Sequence, residues 1–292
     1  MKLLDGRLLS ARLHAALQRN IEQLTGRPPA LAFLLVGDDP ASHTYVNIKT
    51  KRCREVGIRS IKAKLPALTT EGELLARIEE WNRDETIDGI LVQQPLPPSI
   101  QSDVVVEAIN PAKDVDGFHP LNLGRLLLGQ TTGFIPCTPL GIATLLDEFK
   151  IDVAGRHVVI VGRSNIVGKP LAALLVQKKK GRNATVTLAH SATHNLAALC
   201  RSADILVAAA GSPHLIHKEM VKPKAVVIDV GIHRTSSPGG KTRLTGDVAF
   251  DEVAPLCSAI TPVPGGVGPM TIAMLLSNTW KSYAQRTHLS PS

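Results

Sequence analysis

The chain alternates strand-like and helix-like segments along most of its length: runs at 30–36, 58–64, 87–93, 157–162, 185–190, 204–211 and 225–231 are separated by stretches with helical spacing. A tight turn cannot join strands that have a helix between them, so each connection is a crossover and the strands lie parallel. Parallel strands carry helices on both faces, which accounts for nearly continuous apolar runs such as ALAFLLV, HVVIVG and AVVIDVG. The chain has 292 residues, and at about 100–200 residues per domain this predicts two α/β domains, the second a doubly wound parallel sheet.

Local signals place the helices. Leu9, Leu13, Ala16, Leu17, Ile21 and Leu24 recur three and four apart and predict an amphipathic helix over 1–28, closed by Gly26 and the Pro28–Pro29 pair. Asp39 caps a helix whose first position is Pro40 and whose end is Gly57. Further helices are expected at 70–83, Ser99–Ile109, 140–149 and Met270–Arg286. The expected division is 1–139, with 270–292 packing back on it, and 140–269.

Lysine and arginine number 33 against 25 aspartate and glutamate, a net charge of +8, yet aromatic residues make up 3%. Nucleic-acid binders interleave basic patches with aromatics, and the one basic run here is Lys178 to Lys180, so an anionic small molecule suits this charge better. No apolar run approaches the roughly 18–20 residues that cross a bilayer, and Asp5, Arg7 and Arg12 interrupt the leucines of the start, so neither span nor signal peptide is expected. Cys53, Cys137, Cys200 and Cys257 lie far apart without a CxxC, which reads as reduced thiols in a cytoplasm.

Five segments carry candidate chemistry. In VVIVGRSNIVGKP (158–170) a buried strand ends at Gly162 and a helix opens near Gly168, which presents backbone N–H groups to phosphate. The glycines are six apart, which is not G-x-G-x-x-G, and a plain strand-to-helix turn stays open on that spacing. The next strand ends at His190–Ser191 without the carboxylate that takes ribose hydroxyls in NAD sites. Arg163, in the turn, can meet a 2′-phosphate, so NADP is favoured over NAD. Tyr45 and Lys49 stand four apart on one helix face. They are either a surface lysine beside an anchoring tyrosine or, in a cleft, a desolvated lysine that exchanges protons near neutral pH.

ILVQQPLP (90–97) ends a core strand on Gln93 and Gln94, where open sheets bind ligands or where two amides simply cap the strand end. Lys113-Asp114-Val115-Asp116-Gly117 offers too few ligands for a metal, and no metal site is expected. It is either turn chemistry or a turn in which one aspartate accepts two N–H bonds from a pterin-like edge. TPVPGGVGPMT (261–271) is a rigid loop that lets a ligand approach the backbone, or a stiff linker. No H-E-x-x-H or Gly-x-Ser-x-Gly occurs, which leaves zinc and serine hydrolases unsupported.

Together these segments resemble the bifunctional methylenetetrahydrofolate dehydrogenase/methenyltetrahydrofolate cyclohydrolase family. The resemblance spans about residues 3–286 and rests on five ordered motifs. They are Tyr45 to Lys49 with Lys51, Cys53, Glu55 and Gly57-Ile58; Gly89 to Gln93; Lys113 to Gly117; Gly162 to Pro170; and Pro262 to Thr271. It implies two α/β domains with a cleft between them, the second Rossmann-like: a folate-binding catalytic domain over 1–139 with 270–292, and an NADP-binding domain over 140–269. It also implies a homodimer. A cytoplasmic location is expected, with tetrahydrofolate derivatives as partners and neither nucleic acid nor membrane.

Carried over by position, the resemblance gives Lys49 the proton transfer, sets Tyr45 against the pterin, bonds Gln93 to the lysine and has Asp116 grip the pterin edge. Val92, Gln94, Pro264, Gly265, Gly266, Val267 and Gly268 fall at folate positions. Gly162, Arg163, Ser164, Ser191 and Ile232 fall at cofactor positions, with Arg163 and Ser191 placed for the 2′-phosphate. The implied activity oxidises 5,10-methylenetetrahydrofolate with NADP and hydrolyses the 5,10-methenyl product to 10-formyltetrahydrofolate, in one-carbon metabolism.

Two positions depart from the family pattern. Gln94 stands where leucine is more frequent, and Ala192 follows Ser191 where a basic residue is common, leaving His190 or Arg163 to compensate. The rivals are a dehydrogenase-only relative, a two-domain enzyme of the shikimate dehydrogenase type and a basic nucleic-acid-binding protein. The set Tyr45, Lys49, Gln93 and Asp116 argues against the first, and VPGGVGP against the second.

Overall fold

A computed structural model describes residues 1–236 and 242–289; residues 237–241, within the segment expected at 140–269, and 290–292, the end of 270–292, lie outside the described residues. In chain order the elements begin with β1 (Lys2–Leu3), α1 (Gly6–Glu22), β2 (Ala30–Val36), α2 (Pro40–Val56), β3 (Arg59–Leu65), α3 (Glu71–Arg83) and β4 (Gly89–Val92). They continue with α4 (Ser102–Ala108), α5 (Pro120–Leu127), α6 (Cys137–Glu148), β5 (His157–Val161), α7 (Gly168–Leu175), β6 (Thr185–Ala189), α8 (Leu196–Arg201) and β7 (Ile205–Ala208). Last come β8 (Val226–Asp229), β9 (His233–Ser236), β10 (Thr242–Thr245), α9 (Phe250–Val253), β11 (Ala259–Ile260) and α10 (Val267–Arg286). They fall into two compact units, Ala11–Cys137 with Ile272–Ser292, and Met1–Ser10 with Thr138–Thr271.

The unit of Ala11–Cys137 is built on a three-stranded parallel sheet in the order β3-β2-β4. Every residue of the central β2 is buried, as a strand with a neighbour on each side and helices on both faces requires. Leu74, Ile78 and Trp81 of α3 and Val105 of α4 pack with Ala32, Leu34, Ile90 and Val92 in one core. The edge strand β3 has only exposed and half-buried residues. Thr70 and Glu73 close a capping box at the start of α3, an arrangement that satisfies two otherwise orphaned N–H groups. Within the same unit, α10 is tied down by Asn278 Nδ2 to Val115 O (2.8 Å), Ser282 Oγ to Ala112 O (2.8 Å) and Tyr283 OH to Arg27 O (2.8 Å).

The other unit carries a six-stranded, all-parallel sheet in the order β1-β11-β8-β7-β5-β6. The strand β5 pairs with β6 on one side and β7 on the other, so the winding reverses there and the carboxyl end of β5 is the place where such sheets bind ligands. Two expectations need correction. The helix expected over 1–28 is Gly6–Glu22; Lys2 and Leu3 are instead a strand paired with Ala259 and Ile260. Asp5 Oδ1 accepts from the Arg7 and Leu8 N–H groups (2.8 and 3.1 Å), an N-terminal cap that sets where the helix can begin. The strand β6 is not covered on both faces: Ala189 is its one buried residue, because it is the sheet edge.

Candidate active and cofactor sites

The helix that carries Tyr45 and Lys49 starts and stops where its sequence dictates. Asp39 Oδ2 accepts from Ser42 N (2.7 Å), Pro40 opens α2, and Gly57 closes it in the left-handed conformation (φ 87°). Tyr45 and Lys49 therefore sit one turn apart on a fixed face, Tyr45 with 45% of its surface exposed and Lys49 half-buried. Lys49 Nζ donates to Gln93 Oε1 at 3.1 Å, and Gln93 Nε2 donates to Gln94 O at 2.7 Å, so the amide is held in one orientation. Gln93 follows β4 directly, its backbone N–H bonded to Leu34 O. Ser42 Oγ donates to Gln94 O (3.3 Å) and Ser102 Oγ to Gln94 Oε1 (3.3 Å). Val92 is buried in the sheet core, beneath this surface.

The charged turn divides into three separate tasks. Lys113, fully buried, donates from Nζ to Trp81 O, Asn82 O and Asp84 O at 2.7–2.8 Å, and so caps the end of α3. Burial pulls its amine down to about 8, since desolvation disfavours the charged form. Asp114 is the turn itself, its oxygens accepting from the N–H groups of Gly117, Phe118 and His119 and from Asn122 Nδ2. Gly117 takes φ +79°, and a methyl group there would overlap Ile135 and Pro136, so glycine is required twice over.

Asp116 is the half-buried member. Burial raises its carboxyl pKa, and the Lys49 charge pulls the other way. Cys137 is part of that environment: its thiol, beside the Asp116 carboxyl, donates to Val115 O at 3.3 Å. Asn278 Nδ2 reaches Val115 O, Ile135 O and Cys137 Sγ together. The sequence reading missed Asn278, because nothing local marks one asparagine in an amphipathic helix.

In the unit of Thr138–Thr271, a cavity of about 580 Å³ opens at the carboxyl ends of β5, β6 and β7. Gly162, Arg163, Ser164, His190 and Ser191 all line it, with Ala209, Ala210 and Ser212. The two glycines six apart serve close packing: a methyl group on Gly162 would overlap Ala209 O, and one on Gly168 would overlap Gly162 O. Ser164 Oγ accepts from Val167 N (3.1 Å) and braces the turn. His190 Nδ1 accepts from Ala192 N (3.2 Å), while Arg163 and Ser191 are exposed. Among the described residues no aspartate or glutamate lines the cavity, so the residues present fit a dinucleotide with an added phosphate better than one with free ribose hydroxyls.

Ile232 and Pro264 to Gly268 meet around a second cavity, of about 130 Å³, with Arg7 and Asp229 on its wall. Two buried carboxylates, which the sequence reading missed, brace this region. Asp229 accepts from the N–H groups of Gly231, Asp247 and Val248, and burial pushes its carboxyl up to about 6. Asp247 Oδ2 accepts from Ala210 N and Gly211 N, and its Oδ1 lies 2.7 Å from His233 Nε2. Apart from Gly231, two residues beyond Asp229, these partners are 14–37 residues apart in sequence, too far for any motif to reveal.

Residues 4–116 match the tetrahydrofolate dehydrogenase/cyclohydrolase catalytic domain, and residues 136–287 match the NAD(P)-binding domain of the same family. The bifunctional protein FolD of Protochlamydia amoebophila is 52% identical over 99% of this chain and 99% of its own. The crystal structure of FolD, a methylenetetrahydrofolate dehydrogenase/cyclohydrolase from Campylobacter jejuni, is 49% identical with a TM-score of 0.93, covering 98% of this chain and 99% of that one. The Trypanosoma brucei methylenetetrahydrofolate dehydrogenase-cyclohydrolase, solved with NADP and an inhibitor, is 36% identical with a TM-score of 0.91, covering 99% and 98%.

Proposed function

The chain belongs to the tetrahydrofolate dehydrogenase/cyclohydrolase family, and from that premise we propose how its own residues divide the two reactions. It oxidises 5,10-methylenetetrahydrofolate to 5,10-methenyltetrahydrofolate with NADP, then hydrolyses the product to 10-formyltetrahydrofolate. The observation that carries the residue assignment is the Lys49 Nζ to Gln93 Oε1 bond on the helix face shared with Tyr45.

When bound, NADP would supply the hydride acceptor for the first reaction; Gly162, Arg163, Ser164 and Ser191 would hold it, with Arg163 and Ser191 available to an added phosphate. That reaction asks the protein for alignment more than for acid or base. Tyr45 offers a ring face to the pterin, and Asp116 accepts two N–H bonds from its edge. The hydrolysis is different, because water adding to the methenyl carbon must lose a proton and the departing ring nitrogen must gain one. Lys49 moves that proton, and Gln93 orients the amine by accepting one of its N–H bonds. Pro264 to Gly268 line the folate pocket and Ile232 borders the cofactor.

A homodimer is the working form that the family resemblance supports. A cytoplasmic location fits four cysteines that are all unpaired and buried. Among the described residues no helix is long and apolar enough to cross a membrane.

An absorbance time course with 5,10-methylenetetrahydrofolate and NADP, NAD or no cofactor tests the proposal. Reduced cofactor should appear with NADP while the methenyl signal stays low. Methenyl accumulation would mean a dehydrogenase alone, and equal rates with NAD would remove Arg163 and Ser191 from phosphate recognition.

Asp116 gives the folate site a pH signature. It must be ionised to accept two N–H bonds, and burial has raised its pKa, so folate binding weakens on acidification sooner than an ordinary carboxylate near 4 would allow. The folate KM should rise in the wild type as the pH falls from neutral, before an ordinary carboxylate would protonate. It should be high and flat in Asp116→Asn; parallel profiles in the two proteins would refute the role.

A further inference from the structure

The segment Asp5-Gly6-Arg7 lies far in sequence from every motif used so far, yet within its own unit it is built against the Pro264–Gly268 loop. Arg7 Nη2 donates to Pro264 O at 3.0 Å, and the Arg7 backbone N–H donates to Gly265 O at 3.1 Å. A methyl group on Gly265 would meet Arg7 Nε at 2.7 Å and Cζ at 3.1 Å, so the guanidinium lies directly over that glycine. Gly6 is buried, and a methyl group on it would overlap Gly266 O. Three successive loop residues are thus gauged by two residues of the chain start. Asp5 fixes the start in turn, since its Oδ1 accepts from the Arg7 and Leu8 N–H groups. Among the described residues, the guanidinium's hydrogen-bond partner is a carbonyl of this loop and not a carboxylate.

A cation bonded to a loop carbonyl does two things. It fixes the peptide plane, and it occupies an oxygen that would otherwise face water or ligand. The same loop lines the small cavity with Ile232, and Arg7 forms part of that wall. We propose that Arg7 is a positioning residue for the reaction, holding Pro264 and Gly265 where the folate meets them, with Gly6 admitting the loop to that distance. This rests on the reading that Pro264–Gly268 line the folate pocket. The folate site serves both activities, so a loop held out of place weakens both, whereas a fault confined to the cofactor would touch the dehydrogenase alone.

The test is steady-state kinetics of the full-length Arg7→Ala, Arg7→Lys and Pro264→Ala proteins in both reactions, with thermal melting of each. Arg7→Ala should raise the KM for methylenetetrahydrofolate and for methenyltetrahydrofolate about tenfold, the order expected for one lost charge-assisted hydrogen bond. Arg7→Lys keeps a donor and should recover part of that loss, and the KM for NADP should move less than twofold. A merely structural role would lower the melting temperature and kcat and leave both folate KM values unchanged, which overturns the inference. If Pro264→Ala raises the folate KM and Arg7→Ala does not, the inference fails and the folate reading stands. If Pro264→Ala leaves the folate KM unchanged, the reading of the loop fails and takes the inference with it.

Discussion

Lys49→Met is expected to remove methenyltetrahydrofolate hydrolysis, by at least about 100-fold, while the protein folds and melts as the wild type does. Methionine matches the lysine's four-atom apolar stem but neither carries nor moves a proton. The side chain is half-buried and its amine donates to Gln93 Oε1, so its loss strips one bond from an amide that keeps its second bond to Gln94 O. Little stability is at stake. The dehydrogenase reaction, which needs alignment more than proton transfer, should fall less than the hydrolysis. A stopped assay with preformed methenyltetrahydrofolate separates the two, and full cyclohydrolase activity in this variant would end the assignment of Lys49.

Asp88→Ala should have the largest effect on stability. The Asp88 side chain is fully buried; Arg27 Nη1 and Nη2 reach its two oxygens at 2.6 and 2.8 Å, and Ala30 N–H donates to it at 2.9 Å. Arg286 Nε stands 3.6 Å away, so one carboxylate compensates two guanidinium groups and a strand-start N–H. Arg27 is only a third exposed and Arg286 less. Removing the shared anion orphans the Ala30 N–H and leaves Arg27 only the Pro28 and Glu85 carbonyls, while Arg286 keeps Glu85 Oε2; breaking such a buried pair costs roughly 3–5 kcal/mol. For a unit of this size that lowers the melting temperature on the order of 10 °C. Asp88→Asn keeps one acceptor and should lose less. A melting temperature within a degree or two of wild type for Asp88→Ala would show that water already does the compensating.

Most of the strands, and the caps of α2, were legible because their signals are local. Asp39, Pro40 and Gly57 each act within one turn of where they stand, and an apolar run between glycines needs no distant information. The ends were not legible. Lys2 and Leu3 fall inside the stretch read as helix, and only their pairing with Ala259 and Ile260 decides. The helix α5 was missed because its cap is His119, whose Nδ1 accepts from Leu121 N, a residue outside the usual capping set. The antiparallel pair β9–β10 was missed for want of the strict alternation that marks such strands.

The site divides the same way. Tyr45, Lys49 and Gln93 can be chosen from sequence because helix spacing and strand ends place them. Arg7, Asn278 and the Asp229–Asp247 pair cannot, since each acts on a backbone segment reached only through the tertiary fold.

The buried ammonium of Lys113 bears on how such chains are told apart. Lys113 and Asp114 answer to the architecture, one closing a helix and the other shaping a turn, whereas Asp116 alone among the three is free to answer to a ligand. A descendant that gave up folate chemistry would still need the first two or fall apart. The five-letter signature therefore certifies ancestry, and a single letter within it, the aspartate at 116, is where a retired enzyme would first betray itself.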